Sequence, residues 1–95
     1  MSQDRQRLHA VVHGRVQGVN FRYFTYMTAQ QYGVVGWVRN LPEGTVESVA
    51  EGNPSVLQAF LDALHEGPPA AKVSHVDAEF SAAEDDFSDF SIRYV

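Results

Sequence analysis

Twice along this 95-residue chain the spacing of apolar residues switches from every second position to every third or fourth, and back again. A period of two fits a half-buried strand, and a period near 3.6 fits a helix with one apolar stripe. Leu8, Ala10 and Val12 alternate with His9, Val11 and His13. Gly14-Arg15-Val16-Gln17-Gly18 breaks the alternation as a loop. Phe21, Phe24, Thr25, Thr28, Ala29 and Tyr32 then line one helical stripe, with Gly33 placed for a left-handed C-terminal cap. Val34 to Asn40 reads as a strand, Leu41-Pro42-Glu43-Gly44 as a turn, and Thr45 to Glu51 as the returning strand of a hairpin. Asn53 precedes Pro54 as N-cap and first helical residue. Leu57, Phe60, Leu61 and Leu64 form the second apolar face, ended by Gly67-Pro68-Pro69. Val73 to Phe80 alternates again through Val76, Ala78 and Phe80. Residues 81 to 86 form a polar, acidic connection, and Phe87 to Val95 closes the chain as a strand with Phe90, Ile92 and Tyr94 on one side.

The order is therefore β-α-β-β-α-β with an additional C-terminal strand. Two strand–helix–strand crossovers around a hairpin give an α+β fold, the ferredoxin-like sandwich: an antiparallel sheet with both helices on one face. The length suits one domain over residues 1–95, with its core from about residue 7 and a polar tail over residues 1–6. A hydrophobic content of 44% against 20% charged residues suits a soluble globular chain. With no cysteine, a disulfide framework and a Cys-based zinc site are excluded. No run approaches the roughly 18 apolar residues of a membrane span. The polar N-terminus does not resemble a secretory signal, so a cytoplasmic location is expected. The fold order alone assigns no activity.

Charge narrows the choice. The net charge of −5 argues against a nucleic-acid partner, whose binding rests on many phosphate-neutralising cations. The distribution is uneven, however. Residues 5–42 carry Arg5, Arg7, Arg15, Arg22 and Arg39 with no acidic residue, whereas residues 43–95 carry a net −9. A small anion would bind in the first segment.

Within that segment, His13-Gly14-Arg15-Val16-Gln17-Gly18-Val19-Asn20-Phe21-Arg22 joins a strand to a helix. A glycine-containing loop there can turn several N–H groups toward one point, at which the positive end of the helix also aims. A tight strand-to-helix turn would show the same two glycines. The segment has neither the lysine of a nucleotide P-loop nor the three-glycine spacing of dinucleotide folds. Arg22 falls in the first helical turn, where a cation opposes the macrodipole. It is either a solvent-exposed helix residue or a holder of two phosphate oxygens.

Gly14-Arg15-Val16-Gln17-Gly18-Val19-Asn20-Phe21-Arg22, then Gly36-Trp37-Val38-Arg39-Asn40 and Gly44-Thr45-Val46-Glu47, closely resemble the acylphosphatase family. Phe90-Ser91-Ile92-Arg93-Tyr94 is similar to its C-terminal strand. The resemblance runs from about Leu8 to Tyr94. It implies hydrolysis of a carboxyl–phosphate anhydride without a metal, a cofactor or a covalent phosphoenzyme. It assigns Arg22 to the phosphate, Asn40 to the attacking water, and the backbone N–H groups of Arg15, Val16, Gln17, Gly18, Val19 and Asn20 to the phosphate cradle. Acyl phosphate is then the substrate, and inorganic phosphate the product and a competitive inhibitor. A monomer suffices. Some members carry a hydroxyl residue after the asparagine. Leu41 stands there in this chain, so another group must hold the Asn40 amide.

Two other readings compete. One is a non-catalytic ferredoxin-like ligand-binding module. An RNA-binding version needs basic and aromatic residues on its central strands, and Thr45 to Glu51 is acidic without aromatics. The other is an acylphosphatase-like accessory domain of a larger maturation protein. The extent of this chain favours the stand-alone enzyme. No metal site is expected from the histidines. His9 and His13 lie about 13 Å apart along one strand, too far for ~2 Å ligand bonds, and His65 and His75 read as surface positions. Glu84-Asp85-Asp86 reads as a solvated acidic loop.

Overall fold

The structure is a computed structural model that describes residues 5–94. Its elements are β1 (Gln6–Arg15), α1 (Phe21–Tyr32), β2 (Val35–Asn40), β3 (Val46–Gly52), α2 (Pro54–Glu66), β4 (Lys72–Ala82) and β5 (Phe90–Arg93). The sheet runs β4-β1-β3-β2-β5. Each βαβ crossover steps over one strand, so β3 lies between β1 and β2, and β1 between β3 and β4. The β1–β3, β1–β4 and β2–β3 pairs are antiparallel, while β2–β5 is parallel. The last strand therefore makes the sheet mixed rather than wholly antiparallel.

Both helices cover one face. α1 packs on β2 and β5, and α2 on β1, β3 and β4. The period-2 residues Leu8, Ala10 and Val12 point into that layer and are fully buried, as are Leu57, Phe60 and Leu64 from α2. Phe60 meets Phe90 edge-on at 5.9 Å. Burying each such side chain contributes about 1.5–3 kcal/mol, so this layer holds the sheet and helices in register. The cap at Gly33 forms as expected, with φ 70°. Asn53 precedes the second helix, but its side chain makes no capping hydrogen bond.

Several expectations shift at the edges. β1 continues through Arg15, with a bulge between His13 and Gly14, so the loop proper begins at Val16. β1 opens at Gln6, which lies inside the tail expected over residues 1–6; residues 1–4 fall outside the described residues. Tyr32 is exposed rather than core, as are all the residues from Gln30 to the Gly33 cap. Phe80 is 43% exposed and Ala78 is exposed too. β4 alternates as expected, but as an edge strand it extends beyond the cover of α2. β5 is confined to Phe90–Arg93, and Val95 lies outside the described residues.

Candidate active site

The segment between β1 and α1 takes its shape from two left-handed residues. Gly18 has φ 73° and Asn20 has φ 70°, with Val19 between them outside the positive-φ region. Alternation of this kind turns successive N–H groups inward and forms an anion-binding nest. Gly18 enters the left-handed region without steric cost. Asn20 does so as one of the few residue types that tolerate it. Its side chain makes no capping bond, so the start of α1 is left open. The Phe24 N–H donates to the Asn20 carbonyl at 3.0 Å, which leaves the N–H groups of the preceding turn facing the loop. At the other end of the loop, Gly14 has φ 123°, and a Cβ there would lie 2.1 Å from the Lys72 carbonyl oxygen. The bulge that launches the loop can therefore be built only with glycine.

An open depression of about 650 Å³ lies at this point. Val16, Gly18, Val19, Asn20, Arg22 and Asn40 all line it. The residues singled out in the loop and at the end of β2 therefore converge, although 18 positions separate Arg22 from Asn40. Asn40 follows Gly36 and Val38 in period-2 order, and both of those are buried on the helix-covered side. It thus ends β2 on the face toward α1. Arg15 ends β1 and Gln17 lies in the loop, and neither lines the depression.

Sequence reasoning missed what the C-terminal strand adds. Ile92 and Tyr94 line the depression, because parallel pairing sets Arg39 opposite Arg93 and so carries Tyr94 alongside Asn40. The Arg22 guanidinium lies over the Tyr94 ring, 4.9 Å from its centroid. Such a contact steadies the cation while leaving its in-plane N–H donors free for an anion. Arg5, Arg7 and Arg39 are each held by a carboxylate. Among the described residues Arg22 has none within salt-bridge distance. The one sequence sign of this role for Tyr94 was its shared parity with Phe90 and Ile92.

Gln17 carries the second missed feature. Its Nε2 donates to the Leu41 carbonyl at 2.7 Å and to the Thr45 carbonyl at 2.8 Å. The Leu41 N–H itself donates to the Thr45 carbonyl at 2.9 Å. One amide thereby ties the loop to the hairpin turn, through the Leu41 and Thr45 carbonyls just past Asn40. Leu41 offers no hydroxyl, and Gln17 holds this turn instead.

Arg39, one of the five cations of residues 5–42, is engaged elsewhere. Its Nε binds the Glu47 carboxylate at 2.8 Å and its guanidinium stacks on Trp37, on the sheet face away from the helices. Burial alone would raise the Glu47 carboxyl, but hydrogen bonds from His9 and Arg39 hold it below the ordinary carboxylate range. The acidic connection is also more than a solvated loop. The buried Glu51 carboxylate accepts hydrogen bonds from the N–H groups of Glu84 and Asp85 at 2.9 and 3.0 Å, and from Arg7 at 2.7 Å.

Three comparisons bear on this geometry. The family model for acylphosphatase matches residues 8–92. The chain is 47% identical over 88 residues to the acylphosphatase of Syntrophotalea carbinolica, covering 93% of this chain and 96% of that one. It is 48% identical over 80 residues to that of Thermococcus kodakarensis, covering 84% and 88%. The crystal structure of acylphosphatase from Bacillus subtilis matches it with a TM-score of 0.91 at 40% identity, over 94% of this chain and 99% of the other.

Proposed function

This chain belongs to the acylphosphatase family, and from that membership we propose how its site works. The reaction is hydrolysis of the carboxyl–phosphate bond of an acyl phosphate, giving a carboxylate and inorganic phosphate. A carboxylate is a good leaving group, so the protein must mainly position a water and stabilise charge on the phosphoryl oxygens. The N–H groups of Arg15, Val16, Gln17, Gly18, Val19 and Asn20 cradle the phosphate. Arg22 closes on two of its oxygens through its planar fork. The Asn40 amide, which carries both a donor and an acceptor, orients the water for in-line attack. Gln17 acts through the turn, fixing the Asn40 backbone so that its amide keeps one orientation. Neither a metal nor a cofactor enters the reaction.

The observation that carries this reading is the convergence of the loop, Arg22 and Asn40 on one depression. Purified protein is expected to hydrolyse benzoyl phosphate at a rate unaffected by excess chelator, with inorganic phosphate competing. Hydrolysis no faster than the uncatalysed background, or its loss on chelation, would overturn the reading.

No helix of the described residues is long and apolar enough to cross a membrane. We read the protein as a cytoplasmic monomer that acts on a small acyl phosphate and has no nucleic-acid partner. The net charge of −5 supports the last point.

A further inference from the structure

On the sheet face away from the helices, three side chains that acyl phosphate hydrolysis does not use meet at one point. In the antiparallel β1–β4 register His13 stands directly opposite His75. Their rings stack with centroids 4.1 Å apart and planes 10° from parallel. Asp77 lies two residues further along β4 on the same face. Its Oδ2 is 2.9 Å from His13 Nε2 and 3.7 Å from His75 Nε2. One ligand atom from each residue lies within 4.8 Å of the others.

Protons bridge only one of the two approaches to Asp77. The shorter approach is a hydrogen bond and the longer one is not. Charging both rings would stack two like charges face to face. Two ring nitrogens and a carboxylate oxygen thus lie around one shared space. Two imidazoles and a carboxylate form a donor set suited to zinc and other late first-row divalent cations, with bonds of about 2.0–2.2 Å. Tetrahedral neighbours at that bond length lie roughly 3.3–3.5 Å apart, between the two Asp77–histidine separations, while the two ring nitrogens lie within 4.8 Å of each other. Closing the set means turning the exposed His75 and Asp77 toward a half-buried His13, at the expense of the ring stack. Calcium and magnesium prefer all-oxygen shells and fit less well. The backbone is set in advance, because the glycine-dependent bulge that follows His13 fixes β1 against Lys72.

We propose that His13, His75 and Asp77 bind a late first-row divalent cation such as zinc, with water completing its shell, at a site separate from the acyl phosphate depression. None of the three lines that depression. The sequence reading set His9 and His13 aside on spacing within one strand and took His75 as a surface position, which it is. Register across two strands brings His13 and His75 together.

The test is calorimetric titration of the chelator-stripped full chain with zinc chloride. Wild type is expected to bind one equivalent saturably, with affinity falling at acidic pH as protons compete for the ligands. His13→Ala, His75→Ala and Asp77→Asn should each weaken binding by about tenfold or more. A His9→Ala/His65→Ala double variant should keep wild-type affinity. Benzoyl phosphate turnover reports that each protein is folded. Absence of saturable binding in wild type would overturn the proposal. So would a loss no larger in the His75→Ala protein than in the His9/His65 variant.

Discussion

Arg22 works against the helix that carries it. It stands in the first turn, and a cation there is unfavourable by about 0.3–1 kcal/mol. An arginine kept for stability would not be put there, which separates the two roles experimentally. Arg22→Ala should melt at or slightly above the wild-type temperature. Its turnover should be nearly abolished, and inorganic phosphate should inhibit it far more weakly. Normal turnover in the folded variant would remove Arg22 from the site. Gln17 predicts the opposite pattern, since its amide spans two carbonyls. Gln17→Glu keeps the size and replaces donors by acceptors facing those carbonyls. It should lower kcat by about tenfold or more, the scale of one lost hydrogen bond, with a smaller change in KM. Equal kcat in both proteins would show that the turn does not need this clamp. Arg22 and Asn40, which line one depression, could be singled out in the sequence because their motifs are local. Gln17 was read only for its backbone, because its side chain binds carbonyls 24 and 28 residues away and spacing carries no sign of that.

At the scale of elements, both helices and all five strands could be read from periodicity, and their ends from Gly33, Pro54 and Gly67. What stayed hidden was lateral. The parallel β2–β5 pairing, the exposure of Phe80 on an edge strand and the meeting of His13 with His75 follow from strand order and register. Glu51 is a further case. Its burial reflects the β4–β5 connection folding back over β3, which no pattern within residues 46–52 reports. This connection makes stability sensitive to acid. Burial alone would raise the Glu51 carboxyl, but the Glu84 and Asp85 N–H groups and Arg7 hold it below the ordinary range. Stability from a lowered carboxyl is present above the unfolded value near ~4.3 and is lost as pH falls through the folded value. The melting temperature should therefore drop as pH falls below about 4. Glu51→Gln should cost about 1–3 kcal/mol at neutral pH and flatten that dependence. An unchanged acid profile in Glu51→Gln would show that other carboxylates control it.

For the whole molecule, the net charge of −5 conceals a division of labour. Most of the acidic residues lie on the far sheet face and in the β4–β5 connection, where several neutralise Arg5, Arg7 and Arg39. Arg22 keeps its charge directed at the depression, so attraction for a small anion survives in an acidic protein. The fold supports this by bringing three separate stretches of chain to one end of the sheet: the loop, the end of β2 and the residues after β5. The central claim is that binding and water positioning are divided among them, with the loop and Arg22 holding phosphate and Asn40 acting on the water. Asn40→Ala, assayed with benzoyl phosphate and inorganic phosphate as competitor, tests this most directly. The predicted result is a kcat lowered by about 10²-fold or more, with the phosphate inhibition constant within about twofold of wild type. Wild-type kcat in a folded Asn40→Ala protein, or a fall in phosphate binding as large as the fall in kcat, would contradict it.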